Sequence, residues 1–233
     1  MTTISAALQA VKQRIARAAT AAGRSAESIR LLAVSKTWPA EAVREAHEAG
    51  QTAFGESYVQ EAVAKIEALS GLPLEWHFIG PIQSNKTRLI AEHFAWVHGV
   101  DRARIAERLS QARPPELPPL QVCIQVNVSS EASKSGIAPD ALPELARFVR
   151  TLPRLELRGL MTIPEPTDDT ALQRSRFRLL RELLAQLNRE GFQLDTLSMG
   201  MSGDLEAAIA EGATIVRVGE AIFGARAKVR RLE

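Results

Sequence analysis

Lys36 closes the apolar run Leu31-Leu32-Ala33-Val34-Ser35 near the start of the chain. Most lysines are solvated surface groups. One held where a buried strand ends loses hydration, which lowers its pKa from about 10.4 and frees the amine to attack an aldehyde. Far downstream, Ser198-Met199-Gly200-Met201-Ser202-Gly203-Asp204 follows one strand-like run and Arg217-Val218-Gly219 closes another. The first segment reads as a polar turn that opens a helix at Ser202, with Glu206 in its first turn; with Gly219 it offers backbone N–H groups to an anion such as phosphate. The plainer reading of the turn is a serine N-cap and nothing more, and either turn alone is a weak signal. Arg217 brings a permanent charge that can pair with a structural carboxylate or donate to a heteroaromatic nitrogen. An amine, an anion turn and an arginine together ask for a phosphate-bearing aldehyde, and pyridoxal 5′-phosphate (PLP) is the candidate cofactor. An arginine does not surrender its proton, so a pyridine nitrogen facing it stays unprotonated and the ring withdraws electrons less strongly.

These groups need a scaffold that gathers strand ends. Ile4, Leu8, Val11 and Ile15 recur at helical spacing and predict an amphipathic helix over roughly residues 4–21, which Gly23 stops. Short apolar runs follow at 31–35, 52–54, 75–79, 94–98, 120–128, 155–161, 195–199 and 214–218. Helical patterns lie between them near 39–49, 57–69, 84–92, 101–112, 139–151, 170–190 and 202–211. Alternation of this kind implies parallel strands with right-handed crossovers. The number of repeats favours a TIM-type (β/α)8 barrel with an extra N-terminal helix over an open doubly wound sheet, although counting leaves closure open. No GxGxxG follows the first strand, which weighs against a dinucleotide-binding sheet. Pro114-Pro115-Glu116-Leu117-Pro118-Pro119 is too short for a linker and reads as a stiff loop, so residues 1–233 are expected to form one domain. In such a barrel the strand ends collect Lys36, Gly55-Glu56, His77 through Gly80, His98, Asn127, Met161-Thr162, Ser198-Met199 and Arg217 through Gly219 on one face.

Composition excludes several other functions. The 29 basic and 27 acidic side chains nearly cancel and interleave along the helical patterns, which is a solvated surface rather than a nucleic-acid footprint. Cys123 is the single cysteine; it rules out an internal disulfide, fits a reducing compartment, and sits in an apolar run as a buried, inert thiol. The N-terminus is amphipathic and no run approaches the roughly 20 apolar residues of a membrane span, so a cytoplasmic protein is expected. His77 and His98 have no partners at metal-ligand spacing and are read as packed or hydrogen-bonded. Gln83-Ser84-Asn85-Lys86 reads as a helix start capped by Ser84 or Asn85, and Ser133-Lys134-Ser135-Gly136 as a solvated basic loop.

Many segments, in order, resemble the pyridoxal phosphate homeostasis proteins. They are Val34-Ser35-Lys36, Phe54-Gly55-Glu56, Tyr58-Val59-Gln60-Glu61, His77-Phe78-Ile79-Gly80 and Gln83-Ser84-Asn85-Lys86. Further on come Ala132-Ser133-Lys134-Ser135-Gly136, Arg158-Gly159-Leu160-Met161, Leu197-Ser198-Met199-Gly200-Met201-Ser202 and Ile222-Phe223-Gly224-Ala225-Arg226. The resemblance implies a barrel like the N-terminal domain of alanine racemases, with PLP in Schiff-base linkage to Lys36. It also implies phosphate contacts around Met201-Ser202 and Gly219-Glu220, with Arg217 near the pyridine nitrogen. The implied role is a cofactor carrier or regulator of the PLP supply, with PLP-dependent apo-enzymes as partners. The absence of a second domain points to a monomer, and an amino-acid racemase is the alternative. Two positions depart from the family's pattern: Ser57 stands where asparagine is usual and reaches less far, and Glu220 stands where threonine or serine is usual. A carboxylate repels phosphate, so Glu220 is expected to turn away and offer only its backbone N–H.

Overall fold

The computed structural model describes residues 3–129 and 135–225; Ala132, Ser133, Lys134 and Arg226 lie outside the described residues. Helix α1 (Ile4–Ala21) starts where the Thr3 side chain accepts the Ala6 N–H, and it buries Leu8, Val11, Ile15 and Ala19. The strands are β1 (Arg30–Val34), β2 (Ala53–Glu56), β3 (Glu75–Phe78), β4 (Trp96–Val100), β5 (Leu120–Gln125), β6 (Leu155–Met161), β7 (Thr196–Ser198) and β8 (Ile215–Val218). The helices between them are α2 (Ala40–Glu48), α3 (Val59–Ala68), α4 (Thr87–His93), α5 (Ala103–Ala112), α6 (Leu142–Thr151), α7 (Thr170–Arg189) and α8 (Leu205–Ala210). The short α9 (Glu220–Phe223) follows β8.

Every strand pairs in parallel with its sequence neighbour, and β8 returns to β1 with Leu32 opposite Arg217. The sheet is therefore a closed barrel, which settles the question that counting left open. Alternation along each strand sends one set of side chains outward against the helices and the other into the lumen. The outward set, with Phe54, Phe78, Val97, Val122 and Val216, forms one large core with the helix faces. Inside lie two small apolar clusters, one of Leu32, Ala53 and Ile215, the other of Trp96, Cys123 and Met161. Burial pushes the Cys123 thiol up to about 12, so it is the inert core residue expected.

The structure departs from the sequence pattern in local ways. Helix α8 starts at Leu205 rather than at Ser202. Asp204 accepts the Met201 N–H at 2.6 Å and returns its own N–H to the Met201 carbonyl at 3.2 Å, a turn that competes with helix. Ser202 is therefore a turn residue and not a cap. Neither Ser84 nor Asn85 caps the helix after β3; a 3-10 turn over Ser84–Lys86 leads into α4.

One glycine is dictated by packing. A Cβ on Gly159 would lie 1.8 Å from the Thr196 carbonyl oxygen, so β6 and β7 can pair only if that position lacks a side chain. Gly159→Ala should force those strands apart and destabilise the protein by at least about 2 kcal/mol. Urea unfolding of the variant and the parent, compared at their midpoints, reads the difference.

Candidate functional site

The turn carrying Lys36 is gripped from both sides. Ser35 is buried: its N–H donates to the Gly55 carbonyl at 3.0 Å and its hydroxyl to Glu56 Oε1 at 2.7 Å. Lys65 Nζ, from α3, donates to the Ser35 carbonyl at 2.9 Å, to Glu56 Oε1 at 2.6 Å and to Glu61 Oε1 at 2.9 Å. On the far side of Lys36, Thr37 has φ +70° and donates its N–H to Glu61 Oε1 at 2.6 Å. Burial raises the Glu56 carboxyl against the pull of Lys65. Lys65 is a residue that reading the sequence missed. Its signal was there: it continues the buried spacing of Val59 and Ala62, and it stands four residues after Glu61.

Lys36 borders two openings. A cleft of about 450 Å³ is lined by Lys36, Ser57, Tyr58, Ile79, Gln83 and Lys86, among others. A narrower one of about 30 Å³ joins Lys36 to Gly219 and Glu220. Ser57 thus lies beside the lysine, on the side of the β2 and β3 loops. Its backbone explains Gly80, where a Cβ would come within 2.6 Å of the Ser57 carbonyl oxygen. Gly219 packs its backbone against Val34, and a Cβ there would meet the Val34 carbonyl oxygen at 3.0 Å. Glu220 is exposed and borders the narrower opening.

The turn after β7 presents backbone donors. Among the described residues the N–H groups of Ser202, Gly203, Glu220 and Ala221 have no protein acceptor, whereas the Met201 N–H is held by Asp204. The turn is braced from behind: Arg14 of α1 donates to the Ser202 carbonyl at 2.9 Å and pairs with Glu206 at 2.6 Å. The Arg217 N–H donates to the Gly200 carbonyl at 2.9 Å, which ties the same turn to β8.

Deeper in the lumen, Arg217 is only 3% exposed. It donates to Ser198 Oγ at 2.7 Å and to the Thr162 carbonyl at 2.8 Å. Burial lowers the guanidinium to about 10 while Asp204 opposes the shift, and it stays charged at neutral pH. Ser198 Oγ also lies 2.7 Å from His98 Nδ1. His98 Nε2 lies 2.9 Å from His77 Nδ1, and His77 Nε2 lies 2.6 Å from Glu75 Oε1. Both histidines are fully buried and hydrogen-bonded, as expected. Burial pushes both imidazoles down, against Glu75 for His77 and together with the nearby charge of Arg217 for His98.

These residues suit PLP. A lysine amine, turn N–H groups without acceptors among the described residues and a glycine kept bare against β1 match an aldehyde and a phosphate, and a fixed cation matches a ring acceptor. Among the described residues no cluster of three or more His, Cys, Asp or Glu side chains could hold a metal ion, and no helix is long and apolar enough to cross a membrane.

Comparison with known proteins agrees with this geometry. The alanine racemase N-terminal domain family matches residues 6–227. The pyridoxal phosphate homeostasis protein of Pseudomonas aeruginosa is 65% identical over 226 residues, 97% of each chain. The chain belongs to the pyridoxal phosphate homeostasis protein family. PipY of Synechococcus elongatus, solved with PLP bound, superposes with a TM-score of 0.79 at 40% identity, covering 90% of this chain and all of PipY. Alanine racemase of Corynebacterium glutamicum superposes with a TM-score of 0.68 at 18% identity, covering 97% of this chain and 63% of that one; this likeness shows the fold.

The buried histidines predict how stability depends on pH. Their folded pKa values are depressed below the unfolded value of about 6.5, so below that pH the unfolded chain binds more protons than the folded one. The contribution of the neutral histidines is complete above about pH 6.5 and is lost as the pH falls, at about 1.4 kcal/mol per pH unit for each histidine that stays neutral. Urea unfolding between pH 7.5 and 5 should show this decline, and His98→Gln should make it shallower.

Proposed function

We propose that the chain holds pyridoxal 5′-phosphate reversibly at the barrel mouth and serves the intracellular homeostasis of that cofactor. One observation carries the reading. Lys36 at the end of β1 stands above a buried cation on the paired strand β8, and both adjoin turns whose N–H groups have no acceptor among the described residues. When bound, the group supplies an aldehyde that condenses reversibly with an amine. Lys36 provides that amine as a Schiff-base linkage, and the Lys65 cluster holds its turn in place. The N–H groups of Ser202, Gly203 and Glu220 and the Ser202 hydroxyl take the phosphate. Met201 and Gly219 shape the space around it, and Arg217 faces the ring nitrogen. Ser57 borders the opposite side of the lysine. The proposal extends to a cytoplasmic monomer that supplies PLP-dependent apo-enzymes.

Borohydride reduction of the protein loaded with PLP, followed by peptide mapping, tests the assignment. The pyridoxyl group should appear on Lys36. Lys86 borders the same cleft, and finding the label there with Lys36 unmodified would sink it.

A racemase reading has one observation in its favour: Tyr58, the single tyrosine, lines the cleft with Lys36 and could serve the second face of a substrate carbon. Tyr58 is 51% exposed, however, and no hydrogen bond among the described residues fixes its hydroxyl. Without a placed second acid–base group, roughly 10²–10⁴-fold of rate enhancement is forgone. Chiral analysis of alanine incubated with the loaded protein should show only slow background conversion; turnover near ~10 per second, an ordinary enzyme rate, would favour the racemase.

A further inference from the structure

We propose that Glu75, His77, His98 and Ser198 form a hydrogen-bond chain of fixed polarity through the barrel, and that this chain is the positioning device that presents Arg217 to the ring nitrogen of the cofactor. The inference rests on the reading of Arg217 given above and extends it to residues that touch no ligand.

The polarity follows from the two ends. Glu75 accepts from Arg30 at 2.6 Å and from His77 at 2.6 Å. Burial works to raise its carboxyl, but His77 and Arg30 outweigh it and hold the group ionised. A carboxylate only accepts, so His77 carries its proton on Nε2. A neutral imidazole has one N–H, which leaves His77 Nδ1 as an acceptor. The 2.9 Å contact then requires the proton of His98 on Nε2, and His98 Nδ1 becomes an acceptor in turn. The Ser198 hydroxyl must donate to it across 2.7 Å. Ser198 Oγ is thereby left to accept from Arg217, which can only donate. The reverse order would set two lone pairs against each other across the 2.6 Å between His77 and Glu75. Each group has one role, and none is spare.

The arrangement is built to be rigid. The His77 ring stacks on Trp96 with centroids 5.3 Å apart and planes 4° from parallel. The chain crosses the lumen from β3 through β4 and β7 to β8, and its His98–Ser198 link joins β4 to β7, strands that are not neighbours. A guanidinium rotates freely unless its donors are used. With one donor on Ser198 and one on the Thr162 carbonyl, the orientation of its plane is set. Glu75 is half-exposed at the start of β3, so the chain runs from a solvent-facing carboxylate to the buried cation.

The test compares two probes, PLP and its 1-deaza analogue, in which a C–H replaces the ring nitrogen. Equilibrium dissociation constants for both are measured on the parent protein, Ser198→Ala, Ser198→Thr and Glu75→Gln. The parent should prefer PLP by roughly ten- to hundredfold, the range of one charge-assisted hydrogen bond. Ser198→Ala should bring that preference near unity while the deaza analogue binds as before, and Ser198→Thr, which keeps the hydroxyl, should restore it. A general loss of packing would weaken both probes in parallel and leave the ratio intact, which overturns the proposal. Should Ser198→Ala fail to fold, Glu75→Gln decides: it lies at the other end of the chain, and a severalfold drop in the ratio supports the proposal while an unchanged ratio overturns it. A parent that binds both probes equally refutes the placement of Arg217 at the ring, a result distinct from failure of the chain.

Discussion

A permanent cation buried inside a closed barrel is the constraint around which this molecule is arranged. Removing a guanidinium from water costs several kcal/mol unless its donors are matched. Arg217 meets that demand with Ser198, the Thr162 carbonyl and the nearby charge of Asp204. Satisfying Ser198 then draws in His98, which draws in His77 and Glu75. Polar groups therefore run through a lumen that otherwise holds two small apolar clusters. A (β/α)8 barrel commonly fills that space with branched aliphatic side chains; here part of it is given over to holding one side chain still.

The amine and the cation have separate supports. Lys36 is positioned by Lys65 and Glu61, which hold the backbone of Ser35 and Thr37, and by Glu56, which accepts from the Ser35 hydroxyl and from Lys65. Arg217 is positioned by the chain described above, from β3, β4 and β7. The turn that offers N–H groups has a third support in Arg14, from the helix that precedes the first strand. A site assembled in this way can keep its geometry when one of the three is perturbed. Geometry kept by rigid elements rather than by the ligand lowers the ordering cost of binding.

Much of this was legible in the sequence. The period of the apolar runs gave the order of strands and helices, because side chains alternate in strands and recur every three to four residues in helices whatever surrounds them. Lys36 and Arg217 stood out because a charged residue at or near the end of an apolar run has few other reasons to be there. The helix expected to open at Ser202 begins at Leu205 instead, since a serine before a helical pattern cannot reveal that Asp204 will fold back on Met201. Lys65 escaped notice because a lysine four residues after a glutamate looks like an ordinary surface pair.

The sequence alone determined the elements, their order and the residues at the strand ends, all of which depend on local spacing. Only the tertiary structure decided that the sheet closes, that Gly159 must lack a side chain, and that Glu75, His77, His98, Ser198 and Arg217 touch. His98 and Ser198 are 100 residues apart, and Ser198 and Arg217 are 19 apart. No local pattern encodes such contacts. They exist because barrel closure brings the inward faces of separate strands into one narrow lumen, where every buried donor must find an acceptor.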